Sequence, residues 1–136
     1  MAEGKVSPAQ EQKEKETALK FFSLLSPEKL KEARLLFTPD CRHHNPYEPP
    51  GMDALLEAIR QAQQRTDMPR DGVFEIKHAL VDADMVAVYT TLRSRSDQAR
   101  GMRQVHLFRF EGDRIAEYWD VTQTAPAGVP DAANMF

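Results

Sequence analysis

Phe108-Arg109-Phe110-Glu111-Gly112-Asp113-Arg114-Ile115-Ala116-Glu117-Tyr118-Trp119-Asp120-Val121 alternates apolar and polar residues on both sides of a Gly-Asp pair. Successive side chains of a strand point to opposite faces, so a period of two around a turn dipeptide predicts an antiparallel hairpin. The same period runs upstream through Val73 to Val81, Met85 to Arg93 and Gly101 to Phe110, and it continues downstream to Thr124. Asp82-Ala83-Asp84, Ser94 to Arg100 and Glu111-Gly112-Asp113 interrupt it with turn chemistry, which predicts four strands joined by hairpins.

Before Val73 the period is helical. Ser7-Pro8 is a helix start, with Ala18, Leu19, Phe22 and Leu25 on one face. Ser26-Pro27-Glu28 repeats the signal ahead of Leu30, Ala33, Leu36 and Phe37, and Thr38-Pro39-Asp40 stops that second helix. Prolines 46, 49 and 50 make residues 41–51 a short edge segment followed by a loop. Asp53 opens a third helix with Leu55, Leu56, Ile59 and Ala62 inward, and residues 67–72 form a polar break. Helices first and a meander second predict an α+β domain, three N-terminal helices packed on one face of an antiparallel sheet. Residues 1–16 read as a polar arm or first helix turns, and 17–136 as a single domain.

A chain of 136 residues with formal net charge -3 can bury a core without metal or disulfide, and Cys41 is its only cysteine. A reducing cytoplasm is the expected compartment. No apolar run approaches the ~18 residues of a membrane span, so no membrane partner is expected. Nucleic acid is not expected either, because phosphate binding needs a clustered basic surface, and Asp97 breaks up Arg93, Arg95, Arg100 and Arg103. Phosphate loops, dinucleotide fingerprints, nucleophile motifs and zinc spacings are absent from the sequence, and neither cofactor nor metal is expected.

Side chains two apart share a strand face, so Gln104, His106 and Phe108 form one set, and Ala116, Tyr118, Asp120 and Thr122 another. The sets share a face only if paired residue numbers sum to an even total. A two-residue Gly112-Asp113 turn pairs Glu111 with Arg114 and turns Asp120 away from His106; a three-residue loop or a β-bulge restores convergence. Trp119 points opposite Asp120.

Phe108 to Val121, with His44-Asn45-Pro46 and Asn134-Met135-Phe136, resembles the SnoaL-like polyketide cyclases. That family belongs to the nuclear transport factor 2-like group, together with ketosteroid isomerase and scytalone dehydratase. The resemblance implies a cone, with three helices on a strongly curved sheet around a pocket, and a cofactor-independent aldol ring closure with an Asp as acid/base. Asp120 matches that Asp, His106 a pocket histidine, Gln104 a polar neighbour and His44 the histidine of the His-Asn-Pro segment. Tyr118 stands where the family usually has a second His, and a tyrosine does not titrate near neutral pH.

The function expected from these residues is proton transfer on a small apolar carbonyl compound, by aldol cyclisation, isomerisation or dehydration. Asp120, His106 and Tyr118 would be catalytic, and His44, Gln104, Phe108 and Trp119 would contact substrate. The alternative is a binding protein of the same fold without turnover. A desolvated base implies an Asp120 pKa above ~3.9, whereas a structural ion pair implies one below it. Trp119 with Val105, Leu107 and Val121 on the outer sheet face suggests a homodimer.

Overall fold

The computed structural model describes residues 6–63, 72–96, 100–129 and 132–135. Helix α1 spans Pro8–Ser23. A 3-10 turn, Pro27–Lys29, leads into the short helix α2, Leu30–Arg34. Strand β1, Phe37–His44, comes next, followed by helix α3, Met52–Gln63. Strands β2 (Gly72–Asp82), β3 (Met85–Ser94), β4 (Gly101–Glu111) and β5 (Arg114–Thr124) complete one five-stranded sheet of order β1-β5-β4-β3-β2. The polar break expected over 67–71 and the centre of the β3–β4 loop, 97–99, lie outside the described residues.

Two expectations are corrected. The three helices do not all precede the sheet, because β1 lies between α2 and α3, and the sheet is mixed rather than antiparallel, because β1 runs parallel to β5. Phe37, Cys41 and His43 are buried while Asp40, Arg42 and His44 are exposed, so the residues after the second helix carry a strand's alternation. Pro39 is tolerated because β1 is an edge strand. The sheet is open, with β1 and β2 at its edges, and is not strongly curled.

Residues 8–16 form the first turns of α1. The Ser7 side chain accepts from the Gln10 N–H at 3.1 Å, a helix cap, and Pro8 follows it. Gln10 Nε2 donates to the Gly112 carbonyl and to Asp113 Oδ1, both at 3.1 Å, and Glu11 Oε2 accepts the Ala83 N–H at 2.9 Å. The start of α1 is therefore tied to the tips of the β4–β5 and β2–β3 hairpins. Further along, Phe21 enters the core edge-on to Phe37, Phe108 and Tyr118, with ring centroids 5.3, 5.9 and 5.8 Å away.

Glu14 is buried on the inner side of this helix, 3% exposed, and its Oε2 has no hydrogen-bond partner among the described residues. Burial pushes its carboxyl pKa up, and the charges of Asp84, Glu11 and Asp113 add to the effect. A carboxyl raised in the folded state penalises folding once pH exceeds its unfolded pKa, and the penalty is fully developed above the folded pKa. Glu14→Gln should therefore raise stability at pH 7 by about 1 kcal/mol, a gain that vanishes below pH ~4. Urea unfolding at both pH values measures it.

Candidate functional site

The β4–β5 hairpin closes through a two-residue turn, Glu111 opposite Arg114 and Phe110 opposite Ile115, and then shifts register so that Arg109 faces Glu117. Ala116 is the extra residue of a β-bulge, and beyond it Phe108 pairs with Tyr118 and His106 with Asp120. Gly112 takes φ 61° at the turn, a conformation open to glycine without strain. After the bulge Tyr118 and Asp120 share the inner face with His106, and β1 sets His43 beside Tyr118.

Between this face and the helices lies a cavity of about 190 Å³. Phe21, Phe22 and Leu25 from the first helical segment, Leu55 and Ile59 from α3, and Phe74 from β2 make its apolar walls. Its polar groups are Gln104, His106, Tyr118 and Asp120 from β4 and β5, and Glu48 from the loop after β1. A hollow of about 320 Å³ along α1 is walled by Lys13, Glu14, Glu16, Thr17, Lys20 and Asp113, away from this constellation and without its aromatic and aliphatic residues.

The polar wall is a connected network. His106 Nδ1 lies 2.5 Å from the Tyr118 hydroxyl, and its Nε2 lies 3.0 Å from Thr90 Oγ1. Each hydroxyl can donate or accept, so both neutral tautomers of His106 are satisfied. With the proton on Nδ1, the ring donates to Tyr118 and leaves the phenol O–H free to point at a ligand. Asn45 is held by its own turn, its Oδ1 accepting the Tyr47 N–H at 2.8 Å, which aims its Nδ2 at Asp120 Oδ1, 2.5 Å away. His43 Nε2 sits 3.2 Å from the same carboxylate oxygen, but off the ring N–H direction. This pair is an electrostatic contact rather than a formed hydrogen bond, and the buried ring stacks on Tyr118 with centroids 4.7 Å apart.

The environment fixes the protonation states. Burial lowers the His106 pKa to about 4, helped by His43 and opposed by the nearby Asp120 charge, so the ring is neutral at pH 7. Burial drives the Tyr118 pKa well above the ordinary tyrosine range, and the Asp120 and Glu48 charges push the same way. For Asp120 burial acts upward, but the contacts from His43 and Asn45 and the proximity of the His43 and His106 rings outweigh it, and the carboxyl lies below its ordinary value. Of the two outcomes expected for Asp120, the direction is the downward one of a paired carboxylate, but its partners are imidazole and amide rather than an arginine, which no pattern along β5 reveals.

The remaining expected contacts separate. Gln104 reaches the cavity and bonds Thr122 Oγ1 at 2.9 Å. Phe108 is fully buried in the core behind Tyr118, ring centroids 4.7 Å apart, and does not line the cavity. His44 and Trp119 lie on the outer face, stacked at 4.9 Å, with His44 Nε2 2.8 Å from Glu117 Oε2. One residue of strand alternation separates His44 from the buried His43, and reading residues 37–44 as a strand would have singled out His43. Asn45, Thr90 and Glu48 carry no such sequence signal. Among the described residues no group of three His, Cys, Asp or Glu side chains is placed to hold a metal ion.

A pocket between helices and a mixed sheet, with most of its polar groups on the β4–β5 hairpin, is the architecture of the nuclear transport factor 2-like fold. Residues 18–118 match the SnoaL-like domain, and the chain belongs to that family. Among solved structures, a candidate ketosteroid isomerase from Kribbella flavida is similar at 18% identity over 93% of this chain and 90% of its own, with TM-score 0.67. A candidate SnoaL-like polyketide cyclase from Jannaschia sp. CCS1 is similar at 19% identity over 87% and 90%, with TM-score 0.68. A candidate hydroxylase from Streptomyces galilaeus is similar at 17% identity over 89% of each chain, also with TM-score 0.68. No curated protein sequence matches the chain.

A depressed carboxyl pKa stabilises the fold above the unfolded pKa and ceases to do so as pH falls through the folded value. Asp120→Asn should therefore cost about 1–2 kcal/mol at pH 7, because Asn45 loses a charged acceptor and His43 a neighbouring negative charge. The difference between variant and wild type should shrink towards pH 3, which thermal unfolding across pH 3–7 measures.

Proposed function

We propose that the protein is a cofactor-independent enzyme performing proton transfer on a small, largely apolar carbonyl compound, of the kind that drives aldol cyclisation, isomerisation or dehydration. The observation that carries this reading is the placement of a carboxylate, Asp120, and a phenol, Tyr118, on one wall of an apolar cavity. Asp120 removes a proton α to the carbonyl, and Tyr118, supported from behind by His106 and Thr90, donates to the oxygen that becomes the enolate. Gln104 contacts the substrate beside them. A low-pKa carboxylate is a modest base, so the reaction suits substrates whose α-hydrogens are already acidic, such as β-dicarbonyl or conjugated ketones. The same low pKa favours the second reading, a binding protein in which Asp120 only accepts a hydrogen bond.

Deuterium exchange separates the two. With 2-tetralone in D2O, wild-type protein should accelerate exchange of the α-hydrogens seen by proton NMR, Tyr118→Phe should slow it by about 10²-fold, and Asp120→Asn should abolish it. Binding without accelerated exchange would establish the non-catalytic reading.

The protein is further proposed to act as a homodimer in a reducing cytoplasm. Leu80, Val105 and Val121 are 69%, 40% and 69% exposed on outward positions of β2, β4 and β5. Together with Trp119 they leave an apolar patch that a second copy would cover. Cys41 is buried, its thiol pushed up to about 12 by burial, so it needs no oxidising compartment. Light scattering at micromolar concentration should give twice the monomer mass, and Val121→Glu should return it to the monomer value.

A further inference from the structure

The cavity wall carries an imbalance of charge that the proton-transfer chemistry does not require. Two carboxylates, Glu48 and Asp120, line it, and none of its described lining residues is lysine or arginine. Its one histidine, His106, is neutral at pH 7 and does not offset them. Asp120 is engaged by Asn45 and His43. The Glu48 carboxylate, by contrast, has no ion pair or side-chain hydrogen bond among the described residues, and it sits on the exposed loop after β1, at the rim. It is nonetheless close enough for its charge to act on the buried Tyr118 hydroxyl. The rest of the wall is rich in aromatic faces, with Phe22 and Phe74 stacked 5.7 Å apart.

Two negative charges and no positive one among the described lining residues of an apolar cavity repel an anion and attract a cation, and aromatic faces add to that attraction. Resting on the reading of this cavity as the substrate site, we infer that its ligand is a small ring compound bearing a basic nitrogen, an amino ketone rather than a carboxylate or a phosphate-bearing thioester. Glu48 is the specificity-determining residue. The ring system lies among the phenylalanines, the carbonyl faces Tyr118 and Asp120, and the ammonium group stays at the rim against Glu48, where it keeps part of its hydration. A volume of about 190 Å³ accommodates one or two fused rings and no more.

The test uses three probes on one ring frame: protonated 2-aminotetralin, neutral 2-tetralone and the anion of tetralin-2-carboxylic acid. Calorimetric titration of the full chain at pH 7 should give the amine about tenfold tighter binding than the ketone, with the acid weakest. In Glu48→Gln, whose exposed position leaves folding intact by circular dichroism, the amine's advantage over the ketone should be lost. The amine's advantage should also shrink between 20 and 500 mM salt. Equal binding of amine and acid, or an amine preference untouched in Glu48→Gln, would overturn the inference. If the ketone binds and exchanges its α-hydrogens while the amine shows no preference, only the charge selectivity fails. If none of the three binds, the cavity is not the substrate site and both readings fall.

Discussion

One extra residue in β5 determines whether this chain has a polar pocket at all. A two-residue turn at Gly112-Asp113 dictates a register in which Tyr118 and Asp120 would face outward, and the bulge at Ala116 reverses that for everything beyond it. Ile115 and Ala116 are both buried, so the bulge spends its extra residue on the core side, where Ile115 packs at 0% exposure. The hairpin tip keeps its tight turn, which Gln10 of α1 grips, while the far half of the strand delivers its polar residues to the cavity. The anchoring of α1 and the composition of the pocket thus depend on the same local irregularity.

Once the register is set, charge is partitioned by neighbours rather than by residue type. Asp120 and Tyr118 lie on one face of one strand, yet burial leaves the phenol protonated while polar contacts keep the carboxylate ionised. The difference lies in what touches each group. Asn45 and His43 reach Asp120 from β1 and the loop after it, and they exist there only because β1 pairs in parallel with β5 and places His43 opposite Tyr118. A carboxyl and a phenol on one strand face are therefore moved in opposite directions in proton affinity, the carboxyl by groups that an edge strand brings.

How much of this was legible in the sequence follows from the range over which each feature is set. The four hairpin-linked strands, α1 and α3 are written in local periodicity, and the convergence of His106, Tyr118 and Asp120 follows from alternation plus one bulge. A short edge segment is legible from residue 41, but the start of that strand and its parallel pairing are not, because Thr38-Pro39-Asp40 and three further prolines speak for turns and a pairing to a strand some 70 residues away has no local signature. The His44-Asn45-Pro46 resemblance singles out His44, whereas the strand's alternation turns the adjacent His43 inward. Phe108 was assigned to the right face but lies too deep, because depth within a face is a property of the helix packed over it.

The depressed acidity of Asp120 follows from the same geometry and bears on how such a site would work. Its carboxylate is stabilised by groups held independently of any ligand, since the Asn45 amide is fixed by its own turn and the buried His43 ring is stacked on Tyr118. A base stabilised in this way cannot be strengthened much by expelling water alone. In the proposed reaction the advantage would then come chiefly from the other partner, the phenol hydrogen-bonded to His106, which Thr90 holds in turn. Tyr118 in place of the family's usual histidine fits that division of labour: a phenol with a high pKa keeps one protonation state across the physiological pH range, whereas an ordinary imidazole changes charge within it.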